Sequence, residues 1–352
     1  MSLNPDPTVP PRRRTVSLTV LVVAVVLVAG AAVGSTAVYY ALHPTGSTNS
    51  GGNSTTTVVD DLGRTVTVPL RPTRVVVLGP SIVDSLVLLG LRSSIVGVDC
   101  SSAAFGGILG DYTPGQVAAW NLSSRMCITA YPSLYPPQIL NLTPQLILAA
   151  SIVSESTMES FQTTYGIPVV FLAPSTIGGI TYDVQVLNTI FETGSVGAHL
   201  VQELQRTIQQ ATGFVTNLTD NGTALRSVLL TYYVVPSGGY SGYSTFGPGS
   251  FGQSLLDLAG AVNIAGGTDQ GQYPSLSGSQ VLSANPSVIV AGYGFGVTNS
   301  SYSAGPDWSS FSAVVHGNVS YVDVTYMTEA DPTMVLWIPT LAAILYPGIP
   351  FA

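Results

Sequence analysis

The chain changes its hydrophobic rhythm twice. Residues 16–42 are an almost unbroken run of Val, Ala, Leu and Gly, and no residue of fixed charge occurs between Thr15 and His43. A run of that length crosses a hydrocarbon layer of about 30 Å as a helix. Residues 44–57, PTGSTNSGGNSTTT, then carry neither an apolar run nor a charge and read as a flexible linker. From Val58 onward, short β-branched runs alternate with stretches of helical spacing, which predicts an α/β fold built on parallel sheets.

Within that folded part the pattern is regular. Residues 58–69, VVDDLGRTVTVP, alternate around an Asp-Leu-Gly turn and predict a β-hairpin. Residues 74–78, RVVVL, predict a buried strand, followed by Gly79-Pro80-Ser81 and a helix over 82–89 with Ser81 as its N-cap. Further strands are expected over 95–98, 146–149 and 167–172, with a short helical stretch over 139–142. Residues 181–215 predict helices broken near Gly194, and Val196, Leu200, Leu204, Ile208 and Ala211 fall on one face of the second. Strands over 227–235, 288–291 and 319–324, with helices over 251–259 and 333–346, repeat the style.

The expected organisation is therefore an N-terminal transmembrane helix followed by two Rossmann-like lobes with parallel sheets, joined by one long helix. The boundaries are 1–14 for a cytoplasmic N-terminus, 15–43 for the transmembrane anchor and 44–57 for the linker. The N-terminal lobe is placed at 58–180, the joining helices at 181–216 and the C-terminal lobe at 217–352.

Composition adds a compartment. Arg12, Arg13 and Arg14 precede the apolar run and Tyr39 and Tyr40 lie near its far end, so the positive-inside rule places the C-terminal bulk outside the membrane. A cleaved signal peptide is the competing reading, although its apolar core is ordinarily shorter. Charged residues are only 8% of the chain, the basic ones are all arginine, and the formal net charge is −8. A surface so poor in positive charge excludes nucleic acid as a partner. A polar surface with few fixed charges also suits strongly acidic surroundings.

Cys100 and Cys127 are the only cysteines, and an even pair in an exported chain predicts a disulfide, with two buried thiols as the alternative. Seven N-x-S/T sequons, at Asn53, Asn121, Asn141, Asn217, Asn221, Asn299 and Asn318, are candidate glycosylation sites, some of them expected by chance in so Asn-, Ser- and Thr-rich a chain.

Several stretches together resemble one family: DDLGRTVTVPLRPTRVVVLGPSIVDSLVLLGLRSSIVGVD, LTPQLILAA, YGIPVVFL, GPGSFGQSLLDLAGAVNIA, YPSLSGSQVLSANPSVIV and HGNVSYVDV. In this order they resemble the helical-backbone, or class III, periplasmic binding proteins that serve importers of cobalamin, haem and iron–siderophore complexes. The resemblance implies a small-molecule ligand held between two lobes, delivery to an ABC permease with its ATPase, no enzymatic activity and no cofactor. It also implies docking through one glutamate on each lobe, and the matching positions here are Pro137 and Ser279.

Planar ligands of that kind are gripped by aromatic faces and oriented by a few polar groups. The candidate ligand-binding residues are accordingly Pro80 and Ser81 at the strand–helix turn, Trp120 and Tyr131 in the following loop, and Tyr240, Tyr243, Phe246, Tyr273, Tyr293 and Tyr326 in the second half. Tyrosine is common throughout, so packing is the competing role for each. A bare metal ion is not expected, because only His199 and His316 lie in the folded part. No G-x-S-x-G, P-loop or H-E-x-x-H motif occurs, and the adjacent Asp60 and Asp61 are accounted for by the hairpin. A glycosylated structural or adhesion protein of the cell surface, reusing the fold, is the alternative function.

Overall fold

The computed structural model describes residues 46–48, 54–99, 127–128, 134–151, 153–236, 241–294 and 296–351. The apolar span, its arginine triplet and Cys100 lie outside the described residues, and so does any pairing of the two cysteines. Among the described residues no helix is long and apolar enough to cross a membrane.

Three antiparallel strands come first: β1 (Gly46–Thr48), β2 (Thr55–Val59) and β3 (Thr65–Pro69), in that order across the sheet. The expected linker therefore contributes two strands, because Thr55 to Thr57 are β-branched and find partners on both sides. Asp60 closes the β2–β3 turn from a fully buried position. Its carboxylate accepts from the backbone N–H of Leu62, Arg64 and Phe171 and from the Arg64 guanidinium.

The first large sheet has five parallel strands in the order β6-β5-β4-β7-β8, formed by β4 (Val75–Leu78), β5 (Ile95–Asp99), β6 (Cys127–Ile128), β7 (Leu146–Ala149) and β8 (Val169–Phe171). Both faces are covered. Val75 and Val77 join one core while Val76 and Leu78 join another, as alternation along a strand between two helical layers requires. Helix α1 (Pro80–Leu88) follows β4, α2 (Pro136–Leu140) precedes β7, and α3 (Glu155–Tyr165) joins β7 to β8. Helix α1 begins two residues earlier than its spacing suggested. Proline at the first helical position is preorganised for it, so Gly79, which has no side chain to accept a cap hydrogen bond, takes the cap and Ser81 lies inside the first turn.

Two helices leave this lobe: α4 (Ile177–Phe191) and the 26-residue α5 (Ser195–Asp220), about 39 Å long. Leu200, Leu204, Ile208 and Ala211 are buried as their spacing predicted, whereas Val196 is exposed because the first turn of α5 stands clear of the core.

The second large sheet runs β12-β10-β9-β13-β14 with β11 beside β9. Its members are β9 (Arg226–Val235), β10 (Gly242–Thr245), β11 (Ala261–Asn263), β12 (Ser275–Leu276), β13 (Val288–Tyr293) and β14 (Val319–Asp323). Strands β9, β11, β13 and β14 are parallel, while β10 and β12 form an antiparallel margin. Around the sheet lie α6 (Phe251–Leu258), α7 (Gly278–Ala284), α8 (Asn299–Ser303), α9 (Ser312–Val315), α10 (Thr325–Thr328) and the closing α11 (Pro332–Leu345). One continuous core runs from Val58 and Val66 in the hairpin, through α4 and α5, to Val228 and Leu230 of β9 and Leu341 of α11, so the joining helices are cemented to both lobes.

Candidate ligand-binding cleft

In an open parallel sheet a ligand sits beyond the carboxyl ends of the strands, at the point where the strand order reverses. In lobe one that point lies between β4 and β7, whose last residues, Leu78 and Ala149, are paired. Gly79 follows with φ of 152°, and a Cβ there would overlap that of Ala150. The tight approach of the two backbones sets Pro80 and Ser81 on this edge, with the N-terminus of α1 open to a polar ligand group.

In lobe two the corresponding ends are Tyr293 of β13 and Asp323 of β14, which are partners in the ladder. They border a cavity of about 440 Å³ shared with Tyr326, Thr333, Trp337 and Thr340. Tyr326 lies flat on Trp337, with ring centroids 5.7 Å apart and planes 10° from parallel. Tyr293 is 42% exposed beside them. Asp323 is fixed by the backbone N–H and hydroxyl of Thr325, at 3.0 and 2.8 Å. The site is an aromatic shelf with hydroxyls and one carboxyl at its rim. A larger groove of about 770 Å³ lies at the other end of lobe one, among Thr67, Arg71, Gln145, Ile167 and Glu192. It borders the starts of β7 and β8 rather than their ends, so we place no ligand chemistry there.

The boundary between the lobes is acidic. Asp84 of α1 and Asp99 at the end of β5 come from lobe one, and Glu329 and Asp331, just before α11, come from lobe two. Burial pushes the Glu329 carboxyl up to about 7, reinforced by the charges of Asp331 and Asp99. Burial likewise raises Asp331, against the pull of its hydrogen bonds from Asp84, Thr333 and Met334.

The predicted site residues separate into three groups. Tyr293 and Tyr326 are brought together in the cavity, whereas Pro80 and Ser81 stand at the exit edge of the lobe-one sheet, outside that cavity's lining. Trp120, Tyr131 and Tyr240 lie outside the described residues. Tyr243 and Phe246 are corrected by the structure: both are buried, Tyr243 against Trp308 and Phe311 with its hydroxyl donating to the Pro306 carbonyl, and Phe246 against Tyr232. They pack because β10 folds back as a ladder partner of β9, which turns their rings inward. Tyr273 is exposed but rests edge-on against Phe246, outside the cavity lining.

Sequence reasoning did not single out Trp337. It lies on α11 among residues apolar on nearly all sides, so the pattern marked it only as core.

Among the described residues no group of three or more His, Cys, Asp and Glu side chains could hold a metal ion. Sequon residues Asn141, Asn217, Asn221, Asn299 and Asn318 are all exposed, while Asn53 and Asn121 lie outside the described residues. Pro137 and Ser279 are exposed and uncharged.

Comparison with known proteins agrees with this architecture. The chain is 26% identical over 282 residues to a cobalamin-binding protein of Halobacterium salinarum, a match covering 78% of this chain and 70% of the relative. The periplasmic vitamin B12 binding protein of Vibrio cholerae superposes with a TM-score of 0.59 at 19% identity, covering 79% of this chain and 98% of that one. A periplasmic haem binding protein from Pseudomonas aeruginosa gives 0.61 at 18% identity, covering 79% and 94%. The model of the periplasmic binding protein family matches residues 75–326, nearly the whole two-lobed region, and the chain belongs to that family.

Proposed function

We propose that this chain is an extracytoplasmic substrate-binding protein that captures a corrinoid or another chelated metal, such as haem or an iron–siderophore complex, between its lobes. It then presents the ligand to an ABC permease powered by an ATPase. The observation that carries the reading is the aromatic shelf of Tyr293, Tyr326 and Trp337 at the exit end of the second sheet, which suits a flat, largely apolar ligand. A corrinoid leads the series because the relative from Halobacterium salinarum binds cobalamin and because the described rim offers carboxyls and hydroxyls rather than cations for an anionic ligand.

Calorimetric titration of the full chain with cyanocobalamin, haemin and a ferric hydroxamate tests this. Micromolar or tighter binding of one of them, with a matching rise in melting temperature, supports the reading. A folded protein that binds none of the three overturns it.

The N-terminal apolar span is read as the tether that holds this protein at the outer face of the membrane. Four of the five exposed sequons, Asn141, Asn217, Asn221 and Asn318, precede β7, β9 or β14, at the strand ends opposite the cleft. Glycans carried there leave the ligand entrance open.

A further inference from the structure

Two carboxyl pairs in this fold have no assigned role. Asp183, in the middle of α4, is nearly buried, and its Oδ1 receives no N–H or hydroxyl donor. The group facing it is Asp61 of the hairpin turn, whose own Oδ2 accepts the Ala173 N–H at 2.6 Å. Asp331 caps α11. Its Oδ1 takes the Met334 N–H and the Thr333 hydroxyl, but its buried Oδ2 has neither kind of donor and faces Asp84 of α1, itself only 7% exposed.

A buried oxygen without a donor is costly, and a buried carboxylate opposed by another carboxylate is costlier still. Both costs vanish when one proton lies between the two groups, since a protonated carboxyl donates where an ionised one only accepts.

We propose that Asp61–Asp183 and Asp84–Asp331 are proton-sharing carboxyl pairs, the first fastening the N-terminal hairpin to α4 and the second fastening lobe one to lobe two. The protein is thereby built to hold its shape in acid and to loosen as its surroundings approach neutrality.

The neighbouring charges do not undo this. Facing Asp183 is Asp61, and the neighbouring Asp60 of the same turn has its carboxylate already held by Arg64. Around Asp331 are Asp84 from α1, Asp99 from β5 and Glu329 from its own loop, all acidic. Burial is the largest cause of the upward displacement of both Asp183 and Asp331, and Asp61 adds to it at the first.

The direction of the effect follows from linkage. A carboxyl raised in the folded state binds more protons than in the unfolded chain, so its stabilisation is complete below about pH 4 and is lost as pH rises toward its folded value. The low-charge, lysine-free surface is an independent observation pointing to the same conditions.

The test is chemical denaturation of the full chain, without ligand, at several pH values between about 3 and 8, for the wild type and for the Asp183→Asn and Asp331→Asn variants. An asparagine supplies a permanent donor to the facing carboxylate. The expected result is wild-type stability that declines toward neutral pH, with each variant releasing about one proton fewer on unfolding across that range. Wild-type stability that rises with pH, or variants with an unchanged proton count, overturns the proposal. Should either variant fail to fold, infrared spectroscopy near pH 6 of a chain carrying Glu329→Gln and Asp257→Asn, which removes the two other raised carboxyls, decides: a protonated-carboxyl carbonyl band supports the shared protons and its absence refutes them. Because no ligand is added, these outcomes are independent of whether the cleft takes a corrinoid.

Discussion

The ring of Tyr326 lies on the indole of Trp337 at 5.7 Å, and the pair forms the floor of the cavity that Tyr293 overhangs. Tyr326 reaches this position from α10, the short helix after β14, and Trp337 from the second turn of α11, so two helices adjacent in sequence fold one aromatic surface toward the cleft.

Tyr293 is the member that can be removed without harm to the core. Tyr293→Ala is expected to weaken ligand binding between about twofold and tenfold, with the melting temperature unchanged. Isothermal titration against whichever of cyanocobalamin, haemin and the ferric hydroxamate binds measures the first, and a thermal melt the second.

Tyr243 and Phe246 behave in the opposite way. Both are buried, so Tyr243→Ala or Phe246→Ala is expected to cost about 3–5 kcal/mol of folding stability in urea denaturation. The fraction that remains folded keeps the wild-type ligand affinity.

Glu329 provides a pH prediction. Its folded value is raised from 4.5 to about 7 by burial and by the neighbouring Asp331 and Asp99, so its neutral form is the one the fold prefers. Stability from this group is full below about pH 4 and is lost as pH rises through about 7. Glu329→Gln therefore gives a protein whose urea midpoint falls less between pH 5 and 7 than that of the wild type.

Gly79 is required by its backbone and by its neighbour. Gly79→Ala places a Cβ on that of Ala150 in a conformation that side chains rarely adopt, and so forces β4 and β7 apart at their exit ends. The expected result is a loss of more than about 1 kcal/mol, together with weaker ligand binding.

If the chain docks on a permease as the proposed function requires, docking is expected to be nearly insensitive to salt, because Pro137 and Ser279, the positions that the family resemblance matches to docking glutamates, stand exposed and uncharged. A pull-down with the permease in vesicles, repeated from low to high salt, measures this. A steep fall in retention contradicts it.

Both lobes were legible from the β-branched runs, since strands such as 146–149 are bounded by sharp breaks in polarity and have the bounds read from the sequence. The joining helix was legible because Leu200, Leu204, Ile208 and Ala211 repeat on one face over many turns. Helix α3 was not, because its eleven residues carry only Met158 and Phe161 as buried positions, too few to establish a period. The site was half legible. Tyr293 and Tyr326 stand at a strand end and just after one, in the short helix α10, where sequence can place them, whereas the inward turn of Tyr243 and Phe246 depends on the pairing of β10 with β9, a contact set by tertiary structure. The carboxyl pairs were invisible for the same reason: Asp61 and Asp183, or Asp84 and Asp331, meet only after the chain has folded.

Helix α5 and its unbroken core leave little for an importer to sense as closure. A binding protein that scarcely changes outline on loading occupies its berth on the transporter almost as well empty as full. On the proposed import function, empty copies are then expected to compete with loaded ones, so that a cell making too much of this protein slows its own uptake.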